Sequence, residues 1–231
     1  MIGIDWLIKK IESRYDVGTF LNRHFNRYFV IDRDVFKGVI SRTGEQYYIH
    51  PNVCTVKEVY DQYSFYDMRP DDIVIDIGAN VGAFSLMASN SRKIVHAYEP
   101  ILYHELCRNI DLNDEGYYDV WVFPHYEGLG SGYQNLVYWE GEEYIINTKT
   151  LTQMKEECGG CDFLKCDCEG AEWGITIDEL KSIRRIEIEF HFGCHATPRP
   201  ELIDEIKEYF DVTIRKEDKT WWVSGVNEWI K

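Results

Sequence analysis

The sequence predicts an α/β fold built on a mostly parallel β-sheet, and two stretches of the 231-residue chain carry this prediction. The first is the β-branched run 73–77, which leads into a glycine-bearing loop and then, from Val81, into helical apolar spacing. The second is the apolar run 163–168, which ends among acidic residues. Strand, tight loop and helix in succession are typical of sheets that bind ligands at the carboxyl ends of their strands. The amides where the loop meets the helix are therefore expected to face the ligand.

The composition indicates one domain with a sizeable core, because 45% of the 231 residues are hydrophobic. Forty acidic and 25 basic side chains give a net charge of −15, which opposes attraction to nucleic-acid phosphates and anionic membranes. No apolar run approaches the roughly 18 residues of a membrane span, and the N-terminus has no signal-like segment. We expect a cytoplasmic protein without a membrane span or a nucleic-acid partner.

The sequence predicts that residues 1–55 form an N-terminal extension that packs on the core. Apolar side chains at helical spacing predict a helix within residues 1–30, and alternation over residues 28–50 predicts short strands or a hairpin about residues 42–44. The extension is comparatively basic, so it could hold an acidic substrate or partner, although a packed helix with a solvated charged face is the simpler interpretation. Residues 56–231 form the predicted ligand-binding domain.

The loop after the first core strand differs from a dinucleotide-binding fingerprint. Its pattern is Asp76-x-Gly78-x-Asn80-x-Gly82, with Ala79 inside it. A carboxylate just before the turn disfavours a pyrophosphate and favours a cationic ligand. Glu99 closes the next predicted strand, 23 residues after Asp76, where a carboxylate suits a ribose diol. S-adenosylmethionine carries an ammonium, a sulfonium and a ribose, so the sequence predicts it as the cofactor.

Acidic residues crowd the end of the predicted strand 163–168. Asp167, Glu169 and Glu172 should meet at the carboxyl edge of the sheet, where three like charges repel unless a ligand, metal or donor compensates them. The following strand, 183–190, leads into His191.

Glu189 and His191 share one face of that strand by its two-residue period. A carboxylate near an imidazole raises its pKa and orients it as a base. We therefore predict His191, held by Glu189, as the general base. Asp167 or Glu169 would position the acceptor or share Mg²⁺ or Mn²⁺ with it, but no metal site is assigned.

The other elements follow from shorter patterns of apolar and turn residues. The sequence predicts helices at 55–68, 103–112 and 200–210, strands at 94–98 and 120–123, further strand segments at 135–139 and 144–147, and a C-terminal hairpin of 211–216 with 221–225.

These stretches resemble the FkbM-type methyltransferases, a family of class I methyltransferases. VIDIGANVGAFSL at 74–86 and HAYEP at 96–100 are similar to its first two motifs. DFLKCDCEGAE at 162–172 resembles DFLKIDVEGAE, with cysteines in place of apolar residues, and the E-x-H ending of the next strand also matches. The resemblance covers about residues 56–225.

The resemblance implies a Rossmann-like, seven-stranded, mostly parallel sheet with a C-terminal antiparallel hairpin. It implies methyl transfer from S-adenosylmethionine, with a hydroxyl of a small molecule or sugar as the expected acceptor. Glu127 stands in a loop where class I methyltransferases commonly contact adenine, although a solvent-facing acid is an equal alternative.

Several alternatives stay open at this point. Cys158 and Cys161 have metal-ligand spacing and could bind zinc or form a disulfide, whereas Cys166 and Cys168 are interpreted as small apolar residues of a strand. The chain could be a cofactor- or metal-binding module without turnover, or it could methylate a protein or RNA. A nicotinamide dehydrogenase is the weakest alternative.

Overall fold

The structure, a computed structural model, describes the following parts of the chain: residues 28–32, 37–41, 46–48, 59, 62–63, 67–89, 93–114, 121–139, 141–194 and 197–230. Residues 1–27 of the helix that was predicted at the start of the chain lie outside the described residues. Most of the helix predicted at 55–68 also lies outside them, although Val59 and Gln62 are helical.

The N-terminal strands form a small sheet of their own. Strands β1 (Tyr28–Asp32), β2 (Lys37–Ser41) and β3 (Gln46–Tyr48) pair in that order, each antiparallel to the next. The strands β2 and β3 flank residues 42–44, which confirms the predicted hairpin. A domain boundary at residue 55 stays a prediction.

Ten further strands follow in the described residues, and seven of them form the central sheet. They are β4 (Ile73–Ile77), β5 (Ile94–Tyr98), β6 (Val122–His125), β7 (Gly128–Leu129), β8 (Gln134–Trp139), β9 (Glu142–Lys149), β10 (Phe163–Cys166), β11 (Arg185–His191), β12 (Asp211–Lys216) and β13 (Thr220–Val226).

The central sheet has the order β12-β13-β11-β10-β4-β5-β6. The five strands from β11 to β6 are parallel, and only β13 runs antiparallel to both of its neighbours. This is the predicted seven-stranded, mostly parallel α/β sheet, and β12 with β13 is the predicted C-terminal hairpin. The chain leaves β4 toward β5 on one side and returns to β10 on the other, so the order of the strands reverses at β4.

Helices cover both faces of this sheet. They are α1 (Ala83–Ser89), α2 (Tyr103–Asp114), α3 (Leu151–Cys158), a 3₁₀ turn at Ala171–Gly174, α4 (Ile177–Leu180) and α5 (Glu201–Tyr209). β4 shows why two cores form, because its side chains alternate between the two faces. Val74 packs with α1 and α2, whereas Ile75 and Ile77 pack with α3 and α5.

An insertion between β6 and α3 forms a third, small sheet with the order β7-β9-β8. β8 and β9 are an antiparallel hairpin in the two segments for which extra strands were predicted. β7 pairs with Thr148 and Lys149 at the end of β9, which holds the hairpin beside the carboxyl ends of the central strands. None of the helices in the described part of the chain combines the length and the hydrophobicity that a membrane span requires.

Candidate active site

A cavity of about 410 Å³ opens at the carboxyl ends of β4, β5 and β10. This is the point where the strand order reverses, and open α/β sheets bind their ligands there. One wall contains the loop after β4 and the acids after β10. The opposite wall is apolar and comes from the inserted hairpin, including Leu136, Trp139 and Ile146. The cavity therefore joins both predicted motifs and has a cover that lies outside them.

Backbone geometry explains the glycines of the loop after β4. Gly78 and Gly82 have φ of +74° and +86°, and Asn80 has φ of +53°. A Cβ on Gly78 would lie 1.7 Å from the carbonyl oxygen of Asp167, so only glycine fits between the two motifs. The two loops follow β4 and β10, and these strands are neighbours because they pair directly with each other.

The backbone amides of this loop are bound by the protein itself. The N–H groups of Gly78 and Ala79 donate to the carbonyl of Tyr98, and that of Asn80 donates to Glu99. The N–H of Val81 donates to the Asn80 side chain, and that of Gly82 to the Ala79 carbonyl. The expectation that the amides where the loop meets the helix face the ligand is therefore wrong for Val81 and Gly82, whose N–H groups donate within the loop. A pyrophosphate would find no free donor among these five amides, which counts against a dinucleotide.

Asp76 lies inside the protein rather than on the cavity wall. Its side chain is fully buried, accepts a hydrogen bond of 2.6 Å from the Ser85 hydroxyl, and lies 3.1 Å from the Lys165 ammonium. The expectation that this carboxylate faces a cationic ligand directly is thus corrected, because its charge is already paired.

Lys165 is a site residue that sequence reasoning missed. Its Nζ also donates to the carbonyl of Gly78 at 2.7 Å, which ties β10 to the loop. Burial alone would lower the pKa of Lys165, but the charges of Asp76 and Asp167 raise it above its ordinary value. The available signal was a lysine within the buried run 163–166.

Glu99 lies on the cavity wall as predicted. Its carboxylate accepts hydrogen bonds of 2.7–2.9 Å from the amides of Asn80, Ile101 and Leu102. Burial raises its pKa, and these amides act against that rise. Each carboxylate oxygen has a second lone pair that can accept from a ligand hydroxyl. Glu127 is not among the residues that line this cavity; it lies 3.0 Å from the Lys149 ammonium.

Four carboxylates surround the imidazole of His191 at the end of β11. Glu172 is fully buried and its Oε1 lies 3.0 Å from Nδ1, while it also accepts the His191 backbone N–H at 2.6 Å. On the other side of the ring, Nε2 lies 3.5 Å from a Glu189 oxygen and 3.8 Å from oxygens of Asp167 and Glu169.

The sequence identified this group of residues and the proximity of Glu189 to His191, but it missed the contact of Glu172 with the ring. Glu172, and not Glu189, holds Nδ1 of the ring, because the turn at Ala171–Gly174 folds back over β11. Asp167 and Glu169 line the cavity, whereas His191 and Glu189 lie behind them. Tyr63 donates a 3.2 Å hydrogen bond to Asp167, which fixes that carboxylate at the cavity edge.

The carboxylates shift the protonation of the whole cluster. Burial would lower the pKa of His191, but the hydrogen bond and charge of Glu172, with the charges of Asp167 and Glu169, raise it to about 9. Burial and the charge of Asp167 raise the pKa of Glu189 to about 7. Burial also raises the pKa of Glu169. Near neutral pH the ring is therefore an imidazolium that partly offsets its acidic neighbours.

This shift predicts that the protein loses stability as the pH rises. The ordinary pKa of 6.5 applies to His191 in the unfolded chain, so its contribution is fully present below that pH and is lost as the pH rises through about 9. The shift corresponds to about 3 kcal/mol of unfolding free energy. Urea unfolding of wild type and His191→Gln across this window measures the difference. Unchanged pH dependence in His191→Gln, with the exposed His104→Gln as control, would contradict the assignment.

The same cluster could hold a divalent cation. Ligand atoms of Asp167, Glu189 and His191 all lie within 4.8 Å of one another, and the oxygen-rich set suits Mg²⁺ or Mn²⁺. A cation there would compete with the proton on Nε2 of His191.

Cys158 and Cys161, the other predicted metal-binding pair, do not form a metal site by themselves. Cys158 and Cys161 are both free thiols, so the predicted disulfide alternative does not occur in this structure. Cys168 lies beyond the end of β10, which corrects its placement in the strand with Cys166.

Comparison with known proteins identifies the family. Residues 76–217 match the family described as the methyltransferase FkbM domain. A comparison of the sequence with curated proteins finds no significant match.

Solved structures with a similar fold share little sequence with the chain. A methyltransferase FkbM from Methylobacillus flagellatus KT is 15% identical with a TM-score of 0.48, over 74% of this chain and 50% of that one. A magnesium protoporphyrin IX methyltransferase from Synechocystis PCC 6803 with bound S-adenosylmethionine is 13% identical with a TM-score of 0.44, over 76% and 77%. A Methanococcus jannaschii fibrillarin pre-rRNA processing protein is 15% identical with a TM-score of 0.49, over 93% and 98%.

The family match covers more than half of the chain and includes both motifs that form the cavity. It confirms the resemblance that the sequence motifs indicated. The chain belongs to the methyltransferase FkbM domain family, whose methyl donor is S-adenosylmethionine.

Proposed function

We propose that the protein transfers the methyl group of S-adenosylmethionine to a hydroxyl oxygen of a small molecule or sugar. The observation that carries this proposal is the position of Asp167 and Glu169 on the cavity wall, with His191 directly behind them. A cofactor-binding module would not need an imidazole among four carboxylates next to its cofactor cavity.

The cavity suits a cationic methyl donor. Glu99, Leu136 and Trp139 line the cavity, and in this proposal the Glu99 carboxylate accepts hydrogen bonds from the ribose hydroxyls while the two apolar side chains contact the adenine. The sulfonium would lie toward Asp167 and Glu169, whose carboxylates are the charged groups at that end of the cavity. The charge of Asp167 and Glu169 favours the cationic S-adenosylmethionine over a pyrophosphate-containing cofactor, whereas a ribose and an adenine are common to both.

The acceptor hydroxyl must lie in line with the bond between sulfur and the methyl carbon, and it must lose its proton during the transfer. Asp167 is the carboxylate that positions the acceptor. The neutral imidazole of His191 takes the proton of the acceptor hydroxyl. The positive charge of the bound cofactor lowers the pKa of His191 and so favours that form. Glu172 is a positioning residue, since it holds Nδ1 and leaves Nε2 directed toward Asp167.

Glu99→Gln is expected to weaken the binding of S-adenosylhomocysteine about 10- to 150-fold. A charged hydrogen bond contributes about 1.5–3 kcal/mol, and the amide replaces the charged acceptor by a neutral one of similar shape. Isothermal titration calorimetry measures the change. If Glu99→Gln binds S-adenosylhomocysteine with wild-type affinity, Glu99 does not contact the cofactor.

Glu127→Gln is the matched control for that titration. Its side chain pairs with Lys149 and is not among the residues that line the described cavity, so the affinity should stay within about twofold of wild type. A loss equal to that of Glu99→Gln would restore the predicted contact between Glu127 and adenine. Equal melting temperatures of the two variants without ligand show that the loops carrying Glu99 and Glu127 remain folded.

The acceptor class is tested with isotopically labelled S-adenosylmethionine. Label should move to hydroxyl-bearing small molecules or sugars and not to RNA or protein, since a net charge of −15 opposes an RNA acceptor. A crystal soaked with S-adenosylhomocysteine would show which part of the cavity remains for the acceptor. Label found only in RNA or protein would replace the proposed acceptor while leaving the methyl transfer intact.

A further inference from the structure

Two imidazoles and a thiol lie together on the central sheet, away from the cofactor cavity. His96 of β5 and His125 of β6 approach to 3.0 Å between Nδ1 and Nε2. Cys158 is the last residue of α3, and its Sγ and the two ring nitrogens all lie within 4.8 Å of one another. None of the three is among the residues that line the cavity.

The fold brings this group together by strand register and by the end of a helix. His96 pairs with Phe123 and Tyr98 pairs with His125 across β5 and β6, so the two histidines are diagonal neighbours on one face. Helix α3 covers this face and ends at Cys158, where it is capped by Gly159 with a left-handed φ of +80°. The helix therefore ends with the Cys158 side chain over the two strands.

The separations are close to those of a zinc site. Zinc binds imidazole nitrogen at about 2.0–2.1 Å and thiolate sulfur at about 2.3 Å, so neighbouring ligand atoms of a tetrahedral site lie about 3.3–3.6 Å apart. The two nitrogens already satisfy this spacing within a few tenths of an ångström. The sulfur lies within 4.8 Å of both nitrogens, so it exceeds the spacing of a tetrahedral site by at most about 1.2–1.5 Å.

Tyr98 supports two of the three ligands. Its hydroxyl lies 3.3 Å from the Cys158 sulfur, and its ring stacks on His125 at a centroid distance of 4.3 Å. Groups that hydrogen bond to a ligand or fix its orientation are a usual part of metal sites. All three ligands are partly exposed, so a metal can enter from solvent and water can supply a fourth ligand.

We propose that His96, His125 and Cys158 bind a divalent transition metal, with zinc as the preferred ion, and that the metal joins the edge of the sheet to α3. Two imidazoles and one thiolate favour such metals over Mg²⁺ or Ca²⁺. On binding, the Cys158 thiol releases its proton to solvent and a sulfur–zinc bond forms. The site is separate from methyl transfer. The competing interpretation is a hydrogen bond between two neutral histidines beside a thiol.

Protection of Cys158 from alkylation distinguishes these interpretations. The full chain is stripped of metal, then treated with iodoacetamide with and without one equivalent of Zn²⁺, and each cysteine is followed by peptide mass spectrometry. Zinc is expected to slow the alkylation of Cys158 at least tenfold. Cys107, which is also partly exposed and free and lies away from both possible metal clusters, serves as the internal control and should not change.

The histidines are tested by variants that keep Cys158. His96→Gln and His125→Gln should each abolish the protection, while His104→Gln should retain it. Co²⁺ provides a second measurement, because a thiolate ligand gives a charge-transfer absorption that Cys158→Ser must lose. That variant changes a single atom and decides the question if a histidine variant fails to fold. The proposal is overturned if zinc does not protect Cys158, or if the cobalt band persists in Cys158→Ser.

Discussion

Turnover on an identified acceptor is expected to fall about 100-fold or more in His191→Gln, while the affinity for S-adenosylhomocysteine should change little. Loss of a general base has this effect, because the acceptor hydroxyl must then lose its proton without assistance. Steady-state kinetics together with calorimetry separates the chemical step from cofactor binding. The control is His104→Gln, which changes an exposed histidine on α2. If His191→Gln retains its turnover and Asp167→Asn loses it, the carboxylate is the base.

Glu172→Gln tests how the base is held. The amide can still contact Nδ1 but removes a charge that raises the pKa of His191, so the rise of kcat/KM with pH should move to lower pH. A purely structural role of Glu172 would change the melting temperature without moving the pH profile. This measurement distinguishes a positioning residue from a residue that only packs beneath the ring.

Lys165→Met is expected to lower the unfolding free energy by about 3–5 kcal/mol. The substitution leaves the fully buried Asp76 charge with only the Ser85 hydroxyl, and an uncompensated buried charge has a cost of this size. Urea denaturation at constant pH measures the change.

The double variant Lys165→Met with Asp76→Asn is the matched test of that explanation. It removes both charges, so much of the lost stability should return. Lys149→Met provides a surface comparison, since its carboxylate partners are partly exposed, and it should cost less than about 1 kcal/mol. If the double variant is as unstable as Lys165→Met, then the packing of the lysine, and not its charge, supports this region.

Much of the fold could be predicted because its signals are local. Buried parallel strands appear as continuous apolar runs, and β4, β6, β10 and β11 lie within about two residues of their predicted positions. The C-terminal hairpin followed from two short segments about the turn at residues 217–219 and from the resemblance to the methyltransferase sheet. The carboxyl ends of parallel strands meet at one edge, so the meeting of Glu99 and Asp167 also followed from the sequence.

The contacts within the site could not be predicted in the same way, because they depend on how loops fold back. Periodicity places Glu189 beside His191 on one strand, but only the turn after β10 brings Glu172 to the ring. The pairing of Asp76 with Lys165 likewise depends on the register between two strands that are far apart in sequence. The metal-ligand spacing at Cys158 and Cys161 was visible, whereas the two histidines near Cys158 come from other elements.

The satisfied amides of the loop after β4 have a kinetic consequence. Tyr98 and Glu99 hold its backbone through three hydrogen bonds, and two more form inside the loop, so all five amides are bound before any cofactor is present. We therefore expect that this segment need not order when a cofactor binds, so it adds little conformational-entropy cost to the encounter. We expect any slow step in cofactor capture to arise outside this loop, and the inserted hairpin that forms the opposite wall of the cavity is the first segment to test for it.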